Sequence, residues 1–196
     1  MSLLYNAATV WKSLSNVAYE IVIGRKNDSR TIRLIFRDVD FDHLVGMQYA
    51  KDIDFGVQIK DFTGDKLINA ILDGKIDASL IEKGIYWNDK ISHRLNGINS
   101  LCDLIEGAHY IYEFDSNKLP FYSKIDASYL ICDKAHHYGF FVFFDEENGI
   151  YYCKSIFRDM IKDYTRGQIR WTVLKIDRIT DMNTEVIFTH PNYKSF

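Results

Sequence analysis

The chain of 196 residues is 47% hydrophobic and 26% charged, the proportions of an ordinary globular domain and not of a disordered or fibrous one. A net charge of −3 excludes a protein whose whole surface draws in polyanions. Two prolines and no low-complexity tract exclude long disordered linkers.

The longest apolar run, Tyr138 to Phe144, falls far short of the ~20 residues that cross a bilayer, so no membrane span is expected. The opening MSLLYNAATV lacks the basic and apolar regions of a secretion signal. Cys102, Cys132 and Cys153 are odd in number and widely spaced, which fits reduced thiols and a cytoplasmic protein. The length predicts one domain over 1–196, with a helical insertion at about 54–106.

In chain order, Leu4, Ala7, Ala8, Trp11 and Leu14 have helical spacing over residues 3–16. Residues 19–25 and 31–37 flank the turn-forming KNDS and predict a hairpin. Asp40 is placed to cap a helix over 41–52. The insertion holds three short helical candidates: DKLINAILDG, DASLIEKG and KISHRLNGINSLCDLIEG. From His109 strands dominate, with DEENG at 145–149 as a turn between two of them. A helix over KSIFRDMIKDYT is expected to interrupt them. The order predicts an α+β fold, with a helical N-terminal part and the insertion packed on a curved, mainly antiparallel β-sheet.

Two stretches are candidates for chemistry. On a helix over 41–52, His43, Met47 and Lys51 form a stripe at the edge of the apolar face. A half-buried imidazole there would suit a general acid or base, or would simply bond a backbone carbonyl at the core's boundary. Between Tyr151 and Thr180 seven cations stand against three anions, which fits a phosphate-bearing ligand or a solvated face. Within that zone Lys154, Arg158 and Lys162 predict a basic helical stripe. Gly167 is a natural break, and beyond it Gln168, Arg170 and Thr172 share one strand face. Such a face can hold phosphate oxygens or be the wet side of a sheet.

His136 and His137 would point to opposite sides of a strand, so no shared ion is expected. Cys132, His136 and Cys153 lack a paired-ligand motif, and no metal site is predicted. Phosphate-binding loops, dinucleotide fingerprints and nucleophile elbows are missing too. Acidic pairs such as Asp52/Asp54 and Glu146/Glu147 read as charged turns.

The FDHLVG core at Phe41 to Gly46, preceded by TIRLIF, resembles the phage-associated branch of the barnase–EndoU–colicin–RelE-like nucleases, fourth class. KSIF at Lys154 to Phe157, YTRGQ at Tyr164 to Gln168 and the terminal EVIFTHPNY fit the same pattern. The resemblance implies a metal-independent endoribonuclease of toxin type, needing no cofactor. In that chemistry a base deprotonates the RNA 2′-hydroxyl, which attacks the adjacent phosphorus, while an acid protonates the leaving 5′-oxygen. On that resemblance His43 is the acid or base, Ser155 and Tyr164 match polar positions, and Thr165 and Gln168 would orient the phosphate. Lys51, Arg166 and Arg170 are added from charge and position as substrate-binding residues. RNA and an immunity or antitoxin protein are the implied partners. The alternatives are a non-catalytic, phage-derived binding or structural module, and an enzyme using Cys153 or Cys102 as nucleophile.

Overall fold

A computed structural model describes residues 2–57, 61–132, 140–159 and 161–194. It is 33% helical and 32% strand, so the expected α+β class holds. The chain forms two compact units, one of residues 1–15 and 36–101, the other of 16–35 and 102–196.

The first unit is helical. Its opening helix α1, Leu3–Leu14, starts where the Ser2 hydroxyl accepts from the Tyr5 amide, and it buries Leu4, Ala7, Ala8, Trp11 and Leu14 as the spacing predicts. Trp11 meets Phe36 edge-on at 5.7 Å and Phe41 at 5.9 Å, a geometry that favours aromatic pairs beyond their buried area. Further on lie α3 (Asp65–Leu72), a 3-10 turn at Ala78–Lys83, a π-turn at Trp87–Ile91 and α4 (Ser92–Asn99). A further helix, α5 (Leu101–Glu106), belongs from Cys102 onward to the second unit.

The helix expected over 41–52 is not continuous. Its first part, α2, covers only Phe41–Val45, because Gly46 takes φ +85° and its amide closes on the Asp42 and His43 carbonyls. A left-handed glycine in that position ends a helix. Met47–Tyr49 continue as a single 3-10 turn. The stripe His43, Met47, Lys51 therefore does not form. Nor does Asp40 cap α2 with its side chain; its carboxylate takes both Nε and Nη2 of Arg37, at 2.7 and 2.9 Å.

The second unit is a β-barrel, and here the expected open, curved sheet is corrected. Its strands are β1 (Ala18–Arg25), β2 (Asp28–Ile35), β3 (Tyr110–Glu113), β4 (Tyr129–Cys132), β5 (Phe140–Glu147), β6 (Ile150–Arg158), β7 (Ile169–Ile179) and β8 (Thr184–Thr189). The order is β1-β2-β6-β5-β4-β3-β7, and β7 pairs back onto β1, closing seven strands. All these pairings are antiparallel except β2 with β6. The physical reason for closure lies in β7, which is long enough to carry β1 along one edge and both β3 and β8 along the other. Bulges at Val22/Ile23, Phe143/Phe144 and Ile176/Asp177 add the local bend that a closed sheet needs.

Both predicted hairpins are present. In the first, Lys26 takes φ +56° in the two-residue turn. In the second, Asn148 and Gly149 both have positive φ, 55° and 81°. That is the Asn-Gly turn whose twist matches the flanking strands.

The helix expected at KSIFRDMIKDYT is also corrected. Residues 150–158 form strand β6 along β5. Their apolar positions satisfy a helical repeat and a bulged strand equally, and the tight Asn-Gly turn decides for the strand. Lys154 is the extra residue at the bulge, skipped in the pairing, and it reaches back to the Asp145 carboxylate. Lys154, Arg158 and Lys162 therefore make no helical stripe. Met160, like His136 and His137, lies outside the described residues.

Candidate functional site on the barrel

Side chains on β5 and β6 alternate between the barrel's interior and its outside. Ile131, Val142, Phe144, Cys153 and Ile156 are buried on the inner side. The outer side carries a second cluster of Tyr112, Phe114, Leu119, Leu130, Phe141, Phe143 and Tyr164.

Ser155 lies on this outer side, half-buried opposite Phe143. The pairing then runs from Phe143 to Leu130, from Leu130 to Tyr112, and from Tyr112 to Arg170. Ser155 and Arg170 end one row across five strands, about 19 Å along the curved wall at ~4.8 Å per strand, and point outward on different sides of it. One phosphate cannot be held by both. Arg170 is exposed and lies over the Tyr110 ring at 4.5 Å.

Tyr164 is a roof over the outer cluster. Its ring meets Phe121, Phe141, Phe143 and Phe157 at centroid distances of 5.1–5.6 Å. Burial, then the nearby Asp159 carboxylate, raise its phenol pKa, so it stays neutral. Thr165 is buried and occupied: Asp163 Oδ1 accepts from both its amide (2.9 Å) and its hydroxyl (2.6 Å). Gln168 Oε1 accepts from the Asp115 amide at 2.8 Å while its Nε2 donates to the Asp115 carbonyl at 3.0 Å. The amide thus acts as a short strand pairing that pins the end of β3.

Arg166 and Lys51 are exposed. His43 belongs to the helical unit and is exposed, not half-buried, and its imidazole makes no hydrogen bond among the described residues. The acidic pairs do more than solvate. Asp52 accepts from the Ile85 amide, Asp54 from Gly56 and Glu146 from Gly149.

The interior holds a polar group that sequence reading missed. Arg30 on β2 donates from Nη1 to Glu113 Oε2 (3.3 Å) and to the Tyr129 hydroxyl (3.2 Å), and its guanidinium lies 4.3 Å above the Trp171 ring. These partners sit on β3, β4 and β7, none a neighbour of β2, so the contacts cross the barrel. Trp171 Nε1 donates to the same Glu113 Oε2 at 3.2 Å. Tyr151 faces Tyr129 at 5.4 Å, with its pKa raised by burial and by Tyr129 and Glu146. All five residues lie near one end of their strands, at a mouth of the barrel. Arg30 and Glu113 are 83 positions apart, and no local pattern links them.

Cys153 is buried, and burial followed by the Glu106 charge raises the Cys102 thiol pKa, whereas a nucleophile needs thiolate. Cys132 is on the outer side of β4 and Cys153 on the inner side of β6, which separates the soft ligands considered above. Among the described residues no group of three His, Cys, Asp or Glu side chains could hold a metal ion. No helix among them is long and apolar enough to cross a membrane.

The family described as phage-Barnase-EndoU-ColicinE5/D-RelE like nuclease4 matches residues 3–191, and the chain belongs to it. No curated protein and no solved structure matches the chain.

Proposed function

We propose that the chain is a metal-independent endoribonuclease of toxin type, cutting RNA by attack of a 2′-hydroxyl on the adjacent phosphate. The observation that carries this reading is membership of a phage-associated nuclease family over nearly the whole chain. An exposed imidazole at His43, which makes no hydrogen bond among the described residues, supports it, because both ring nitrogens are open to a substrate hydroxyl. Ser155 is proposed as a polar contact for substrate, and Lys51, Arg166 and Arg170 as separate contacts for the RNA backbone. Tyr164, Thr165 and Gln168 then act by shaping the loop that presents Arg166. An immunity protein and a cytoplasmic site of action complete the proposal.

The test is incubation of the purified protein with transfer and ribosomal RNA in excess chelator. The expected result is fragments ending in 2′,3′-cyclic phosphate, lost in His43→Ala. RNA that stays intact overturns the reading. A second reading, a non-catalytic binding module, is favoured by the engagement of Tyr164, Thr165 and Gln168 in the fold. It predicts RNA binding without cleavage.

A further inference from the structure

We propose that the barrel mouth is the chemical centre of the reaction, with Glu113 as the base, Arg30 as the holder of the phosphate and the Tyr129–Tyr151 pair as the proton source for the leaving oxygen. The inference rests on the RNA-cleaving reading but gives both proton transfers to the mouth, so it competes with His43 for the acid–base role.

Four observations support it. First, Glu113 is fixed at one oxygen only: Oε2 accepts from both Arg30 and Trp171, while Oε1 makes no hydrogen bond among the described residues. A carboxylate oriented through one oxygen and open at the other has the geometry of a positioned base. Second, the side chain is accessible, with 38% of its surface exposed, beside Arg30 at 43%. Third, the guanidinium is held by a ring face and two acceptors through Nη1. Its Nη2 edge makes no hydrogen bond among the described residues, and Nε meets only Asp28, at 3.7 Å. Such a preorganised fork suits a phosphate. Fourth, the Tyr129 oxygen accepts from Arg30, so its own proton is directed elsewhere. The Tyr151 ring packs beside Tyr129, with 5.4 Å between ring centroids.

The step balances with no added reagent. Glu113 takes the 2′-hydroxyl proton, and the O2′–P bond forms as the P–O5′ bond breaks. A tyrosine hydroxyl gives its proton to the leaving 5′-oxygen. The phenolate so formed, next to Arg30, recovers the proton from Glu113 through water. The products are a 2′,3′-cyclic phosphate and a 5′-hydroxyl end.

The experiment compares full-length wild type with Glu113→Gln, Glu113→Asp, Arg30→Lys and Arg30→Ala on transfer RNA in chelator, with a thermal melt for each. Binding of a nucleoside 3′-monophosphate is followed in parallel at the Trp171 indole N–H by NMR, assigned with Trp171→Phe. The expected result is a loss of about 100-fold or more in rate for Glu113→Gln, with partial activity in Glu113→Asp. The indole signal should shift on titration of wild type and stay fixed in Arg30→Ala. If either Arg30 or Glu113 variant fails to fold, the wild-type titration decides alone: an unmoved indole signal overturns the inference. Wild-type cleavage with full activity in Glu113→Gln overturns the inference and leaves the reading of the reaction standing. Intact RNA with wild type removes both.

Discussion

The two sides of the barrel wall use polar residues differently. On the outer side, Tyr164, Thr165 and Gln168 are spent on the fold: an aromatic roof, a closed Asp163 turn and a strand-like clasp on Asp115. At the inner mouth, Arg30 and Glu113 are each bound at one edge and, among the described residues, free at the other. Polar character in a sequence marks a side chain that can bond. Whether the bond is already made decides between scaffold and chemistry.

Mutations can test that contrast, starting with the largest effect. Tyr164→Ala removes a ring packed on four others and should destabilise by about 3–5 kcal/mol, measured by urea unfolding. A much smaller loss would mean that the roof is loosely held. Gln168→Ala leaves the Asp115 amide and carbonyl without their partners and should lose about 1–3 kcal/mol. Native-state hydrogen exchange at Asp115 should rise with it. Gly46→Ala forces a side chain into a left-handed conformation, worth roughly 1–2 kcal/mol, visible as a lower melting temperature with no change in the barrel's exchange rates.

The pH dependence is smaller. Burial pushes the Asp145 pKa up, but hydrogen bonds from Lys154, the Glu146 amide and Ser128 outweigh it and hold it below the ordinary carboxylate value. A depressed folded-state pKa gives stability that is present above the unfolded value and lost as pH falls through the folded one. Wild type should therefore lose its advantage over Asp145→Asn only in acid, below the ordinary carboxylate range. Melting curves that stay parallel through that range would refute this. The smallest stability effect should come from His43→Ala, within about 0.5 kcal/mol for an exposed side chain. A drop in RNA cleavage with an unchanged melt would place His43 in the chemistry.

How far the sequence was legible depended on the range of the interaction. Helix α1 and both hairpins could be read because spacing and turn residues act within a few positions. Gly46 was visible too, but the helix was carried through it, although a glycine at that point is a stop signal. At residues 154–165 the apolar spacing fitted two periods, and the pairing with β5 that decides between them is not local. Barrel closure rests on β1 meeting β7, and the mouth on Arg30 meeting Glu113. Both are encounters between distant segments that no short window encodes.

Closure of the ring also dictates when the molecule can exist. The strand that seals it, β7, pairs with residues near the opposite end of the chain, and forming such distant pairs is entropically slow. Until β7 has left the ribosome, β1 lacks its partner and the mouth lacks Trp171. A nascent or truncated copy would thus carry neither the finished cylinder nor its interior guanidinium perch.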